Sequence, residues 1–253
     1  MVANKWTREE EIIVLGLYCK IPFKASSKSH PDVIRIASLI GRSPSAVNMK
    51  IGNFGSFDDR LKAQGIVGLS NVSKLDKEVF DEFNGKWDEL SYESEKLIAQ
   101  YSGHQMQDDY AEFPEGSEVE TIVKQRINQQ FFRQAVLASY NGTCCITGLS
   151  NKELLMASHI KPWKDSSCSE KTDPTNGLCL NALHDKAFDR GFITISNKYT
   201  IIVSDDIRDA CNGNAVEKYF KSLRGQKINL PEKFLPKKEY IQYHNDCIYE
   251  NWK

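Results

Sequence analysis

The sequence predicts an α+β protein: an N-terminal helical domain of helix-turn-helix type, then a C-terminal domain built as strand, loop, strand, helix. Apolar residues recur at helical intervals through residues 6–90, and a polar stretch rich in Glu, Asp, Gln and Ser follows at 91–117. Further on, two short apolar runs, Leu154-Leu155-Met156-Ala157 and Leu178-Cys179-Leu180, enclose a polar loop and stand just before a helix. The expected division is therefore a helical module at 1–90, a linker at 91–117 with some helix at its start, and a second domain at 118–253.

In the first module Thr7 is placed to cap a helix whose first turn holds Glu9, Glu10 and Glu11, with Ile12, Ile13, Leu15 and Tyr18 at helical spacing behind it. A loop with Pro22 and Pro31 leads to a second helix over 31–40, which offers Val33, Ile34, Ala37 and Leu39 to a core and stops at Gly41. Ser43 as N-cap and Pro44 at the first helical position then start a third helix. Helix, glycine turn, helix is the helix-turn-helix pattern, in which the start of the second helix of the pair enters the major groove. Arg42, Ser45, Asn48 and Lys50 are accordingly candidates for phosphate and base contacts. The plainer alternative is a three-helix domain that only packs or dimerises.

The second domain opens with a helix over 120–140, where Ile122, Val123, Ile127, Phe131, Phe132, Val136 and Leu137 recur at helical intervals and Arg126 and Arg133 are candidates to reach phosphate. Past the strand-loop-strand-helix block, 192–195 and 199–203 read as a β-hairpin. The stretch 218–238, with Lys218, Lys221, Arg224, Lys227, Lys233, Lys237 and Lys238, reads equally as a phosphate-tracking surface or as a solvated face.

Composition narrows the classes. With 253 residues and 40% hydrophobic content the chain can bury two modest cores. A net charge of -1 gives no global attraction to nucleic acid, so DNA affinity has to come from local surfaces. No apolar run nears the ~20 residues of a bilayer span and the N-terminus has no signal-peptide core, so a soluble, cytoplasmic protein is expected. The seven cysteines form no disulfide framework; Cys19, Cys211 and Cys247 read as packing residues.

The block from Cys145 to Gly191 carries the chemistry. It reads Cys145-Ile146-Thr147-Gly148, then Ser158-His159-Ile160-Lys161-Pro162-Trp163, Asn176-Gly177-Leu178, and His184-Asp185-Lys186-Ala187-Phe188-Asp189-Arg190-Gly191. Phosphodiester hydrolysis needs a base to activate water, a cation to polarise the phosphoryl oxygen, and groups that hold the base. His159, at the exit of the first short strand, is the expected general base. The joint pattern resembles the HNH endonuclease family, in its restriction-enzyme-like branch with a ββα-metal fold. That resemblance implies a catalytic set of His159, Asn176 and His184, with Asn176 holding the loop and orienting His159 and His184 binding metal.

The same resemblance implies double-stranded DNA as substrate, one divalent cation, Mg²⁺ with Mn²⁺ as the alternative, a 5′-phosphate product, and a restriction or defence setting. Ser158 stands where many relatives carry an acid or histidine ligand. Asp189 is then a candidate to complete the metal shell, or else part of a helix stop at Gly191. Asp185 is expected to point to another helical face. Lys161 is expected to seat the phosphate, and Trp163 to wall the cleft or join the core. Paired Cys-x-x-Cys knuckles are missing, so Cys144, Cys145 and Cys179 read as small buried groups and no structural zinc is expected. Cutting both strands with one site per chain implies a homodimer or sequential nicking. The rival readings are a helix-turn-helix DNA-binding protein on an inactive HNH scaffold, and a nuclease for RNA or structured DNA.

Overall fold

The computed structural model of the protein describes residues 5–66, 72–104, 119–205, 207 and 214–250; Cys211 lies outside them. The architecture is α+β, a helical N-terminal region followed by a C-terminal region with small ββα sheets, as the sequence predicts. Two compact units divide the chain between Ala138 and Ser139.

The first unit is built round α1 (Arg8–Lys20), whose N-terminus carries a full capping box: Thr7 accepts from the Glu10 N–H and Glu10 accepts from the Thr7 N–H. Ile12, Ile13, Val14, Leu15, Tyr18 and Cys19 are all buried, so α1 is covered on every side rather than along one stripe. Around it pack α2 (Pro31–Leu39), α3 (Pro44–Gly55), α5 (Lys74–Phe83) and α6 (Trp87–Ser102), with the short α4 (Asp59–Lys62) between α3 and α5. Ser43 caps α3, and Gly41 takes the left-handed conformation (φ 67°) in the turn after α2.

Burial corrects two of the expected DNA contacts. Lys50 points inward, 6% exposed, and pairs with the fully buried carboxylates of Glu11 and Asp76. Asn53 and Ser73 also donate to Asp76. Burial raises the Glu11 pKa to about 7, which Lys50 only partly opposes, whereas on Asp76 the donors Lys50, Ser73 and Asn53 outweigh burial and hold the pKa down. Arg42 forks onto Glu10 at 3.0 and 2.7 Å and stacks on Trp6. Neither cation is available to phosphate. Ser45 is exposed on α3, and Asn48 is half-buried with its amide oxygen accepting from Ser26 Oγ at 3.0 Å.

The stretch expected as a linker is helical at its start. In α6, Leu90, Ser91, Ser94, Leu97 and Ala99 are buried, and the small Ser94 meets Gly16 so closely that a Cβ there would lie 2.8 Å from it. The long α7 (Val119–Ser139) packs with this unit: Ser91 donates to Asn128, Tyr92 to Glu120, and Lys20 lies over Phe131. It was expected to open the second domain. Arg126 and Arg133 lie on its exposed side.

In the second unit β1 (Leu155–His159) and β2 (Gly177–Asn181) pair antiparallel, His159 opposite Gly177, and α9 (Ala182–Asp189) packs on both strands. The short α8 (Cys168–Thr172) lies in the loop between them. The expected hairpin forms as β3 (Ile193–Ile195) and β4 (Ile201–Val203), with buried Ile193, Ile195, Ile201 and Val203. It is followed by α10 (Asn214–Tyr219) and α11 (Lys238–Cys247), the latter packed on β3. Cys144, Cys145 and Cys179 are buried.

The stretch 218–238 is not a continuous cationic face: Arg224 is paired with Asp205, Lys237 with Asp173, and Lys233 is fully buried. Among the described residues no helix is long and apolar enough to cross a membrane.

Candidate active site

Asn176 organises the site. Its side chain is fully buried; Oδ1 accepts from the Lys161 N–H at 2.8 Å, while Nδ2 donates to the carbonyls of Lys161 and Glu170, both at 3.2 Å. One amide thus joins both ends of the loop between residues 161 and 170. The backbone of the same residue accepts from Ile160 N–H at 2.9 Å, continuing the β1–β2 ladder.

The clasp does not touch His159; it positions the next carbonyl along, that of Lys171, which lies 3.0 Å from His159 Nε2. A carbonyl can only accept, so Nε2 carries the proton in the neutral ring and Nδ1 is the basic nitrogen. Burial lowers the His159 pKa below the ordinary histidine value, the Lys171 carbonyl opposes this, and the Lys171 ammonium adds to the lowering. Trp163 meets the imidazole edge-on at 5.6 Å.

Helix α9 carries His184 and Asp189, the metal ligands expected from the sequence. His184 is 1% exposed, with Nε2 2.9 Å from the Tyr219 carbonyl and Nδ1 3.0 Å from Asn181 Oδ1. Both partners only accept, so the neutral ring donates through one nitrogen alone; burial lowers the His184 pKa, and the Tyr219 carbonyl opposes this. The neighbouring Asp185, assigned from the sequence to another face, instead lies beside Ser158, the residue before the base. Burial raises its pKa, and Ser158 and Lys186 oppose the rise. Asp189, one turn on, is raised by partial burial and by the charge of Asp185.

Two carboxylates held close enough to repel each other, one of them beside the buried Ser158 hydroxyl, suit a hard divalent cation, which takes oxygen donors. Among the described residues no group of three or more His, Cys, Asp and Glu is already gathered in ligand geometry. The i, i+4 spacing of Asp185 and Asp189 was the signal in the sequence that could have found the pair.

A brace from α11 was not visible in the sequence. Asp173 caps the 3₁₀ turn that carries Asn176, and its carboxylate accepts from Lys237 at 2.9 Å and Tyr240 at 3.1 Å. His244 stacks on Phe188 with 3.7 Å between ring centres and bonds to the Phe188 carbonyl and to Thr194; burial drives its pKa down to about 4. Lys161 is held in a bidentate pair with Glu170, both contacts at 2.8 Å, beneath Tyr243. It braces the loop instead of facing a phosphate.

An antiparallel hairpin with a helix across it, a histidine at the end of its first strand and an asparagine clasping the intervening loop define the ββα-metal class of phosphodiester-cleaving sites. Residues 144–196 match the family model described as HNH endonuclease. This segment is an HNH endonuclease domain, and the family is one of phosphodiester hydrolases that generally use a divalent metal. The match lies wholly within the second unit. No curated protein matches the chain.

Proposed function

We propose that the protein is a metal-dependent endonuclease acting on double-stranded DNA, with His159 as general base, Asn176 as the residue that positions it, and Asp185 and Asp189 as the carboxylates that hold one divalent cation. The observation that carries this reading is the 3.0 Å contact between His159 Nε2 and the Lys171 carbonyl, which fixes the ring with Nδ1 basic. Mg²⁺ suits the oxygen donors, with Mn²⁺ as the alternative. When bound, the cation polarises the phosphoryl oxygen and stabilises the leaving 3′ oxygen.

His159 removes the proton from the attacking water, and the lowered pKa keeps it unprotonated at neutral pH. Cleavage leaves a 5′ phosphate. Ser45 and Asn48 on α3, and Arg126 and Arg133 on α7, are the surface groups proposed to meet DNA. A restriction or defence role fits a helix-turn-helix-like module on the same chain as a nuclease, and cutting both strands calls for two copies.

Supercoiled plasmid from methylating and non-methylating hosts, incubated in Mg²⁺, Mn²⁺ or EDTA, tests the reading. Discrete, metal-dependent fragments that disappear in His159→Ala are expected. DNA binding without cleavage in any metal would instead favour a binding protein on an inactive scaffold.

A further inference from the structure

We propose that Lys171 is a catalytic residue of this site and holds the scissile phosphate beside His159. The inference rests on the nuclease reading above and assigns to Lys171 the part that the motif suggested for Lys161.

The two lysines differ in what surrounds them. Lys161 Nζ has both of its short contacts with the Glu170 carboxylate, which cancels its charge locally. Lys171, on the last turn of α8, has no acid within ion-pair distance among the described residues. Its ammonium lies 5.0 Å from the centre of the Trp163 ring, and that ring meets the His159 imidazole edge-on. Its backbone carbonyl accepts from His159 Nε2. One residue therefore fixes the base through its main chain and brings an uncompensated positive charge next to it through its side chain.

An indole face attracts an ammonium and restricts where it sits without neutralising it. Such a cation is ready for an anion at small ordering cost, and the anion a base-bearing nuclease cleft admits is a phosphodiester. Lys186 and Arg190 lie nearer the carboxylates of α9 and act on their titration.

In the reaction the water oxygen forms the new bond to phosphorus as the bond from phosphorus to the 3′ oxygen breaks, His159 Nδ1 takes the water proton, and the 3′ oxygen leaves with the bonding pair and is protonated by solvent water. Lys171 exchanges no proton. It stabilises the charge that grows on a non-bridging oxygen, so its contribution is greatest in the transition state.

The test compares full-length wild type, Lys171→Met and Lys171→Arg in single-turnover nicking of supercoiled plasmid with Mg²⁺, alongside DNA affinity in EDTA and melting temperature. Lys171→Met is expected to slow cleavage about 100-fold, as loss of one preorganised transition-state donor does. Its affinity and melting temperature stay near wild type, and Lys171→Arg recovers most of the rate. Active wild type with Lys171→Met equally fast overturns the proposal and leaves the nuclease reading standing. A loss of affinity matching the loss of rate also overturns it, because the lysine would then track the backbone in the ground state. If Lys171→Met melts early, Lys171→Gln replaces it, and wild-type cleavage there overturns the proposal. A wild type that never cleaves overturns the nuclease reading and this proposal with it.

Discussion

His159 is defined by a carbonyl twelve residues away, and its chemistry follows from that contact. Because burial lowers its pKa, the unprotonated base persists below the ordinary histidine value of 6.5. The acid limb of a kcat/KM profile should therefore fall at a pH below 6.5, and a limb above it would contradict the assignment. His159→Ala should cost on the order of 10²–10⁴ in rate.

Asn176→Ala leaves the Lys161 N–H and the carbonyls of Lys161 and Glu170 without their partner. A loss of about 2–3 kcal/mol in urea unfolding is expected, together with slower cleavage. The order of His159 and Asn176 was readable because both fall in one compact block, whereas the carbonyl of Lys171 that meets His159 was not. The fate of Lys50 was not: its partners Glu11 and Asp76 come from other helices, and a lysine on a recognition-like helix looks solvent-facing until those helices are packed. The contact of His184 Nε2 with the Tyr219 carbonyl, 35 residues on, was out of reach of local pattern for the same reason.

Among the elements, α9 ends as the sequence indicates, and the packing makes that stop strict. Gly191 sits at φ 71°, and a Cβ there would lie 2.2 Å from the Ile248 carbonyl oxygen. Gly191→Ala adds backbone strain to a clash with main chain that cannot rotate away, and should destabilise the second unit by roughly 2–4 kcal/mol, read by thermal or urea unfolding.

The buried Glu11 on α1 gives the first unit a pH signature. Its folded pKa of about 7 lies above the ordinary glutamate value of 4.5, so the native state binds a proton that the unfolded chain releases between those values. Stability is thus highest on the acid side of that window and is lost as pH rises through it, by up to about 3 kcal/mol at 1.36 kcal/mol per unit. Glu11→Gln should shrink the difference in unfolding free energy between pH 5 and pH 8; an unchanged difference would show that Lys50 neutralises Glu11 throughout. The helices of this unit were legible from their caps and periodicity. The extent of α6 was hidden because Ser91 and Ser94, polar in composition, serve as small buried contacts.

For the molecule as a whole, a chain with net charge -1 exerts little long-range pull on DNA, so association should be slow. Two units with separate cores should also unfold separately. Scanning calorimetry is expected to resolve two transitions, with Mg²⁺ or Mn²⁺ raising only the one that belongs to residues 139–253, because only that unit holds Asp185 and Asp189. A metal shift in both transitions would place the cation elsewhere. The fold class was readable from the order of periodic segments, whereas the assignment of α7 to the first unit depends on contacts such as Ser91 with Asn128 that no local pattern announces.

The brace from α11 also sets an order of events. A ribosome making this chain delivers His159, Asn176 and Asp185 before Lys237, Tyr240 and His244, the side chains that hold the loop and α9 in place. A nascent chain halted between the two sets carries the proposed base and carboxylates but lacks the side chains that support them. Under the proposed function, competence to cut is tied to synthesis having passed residue 244.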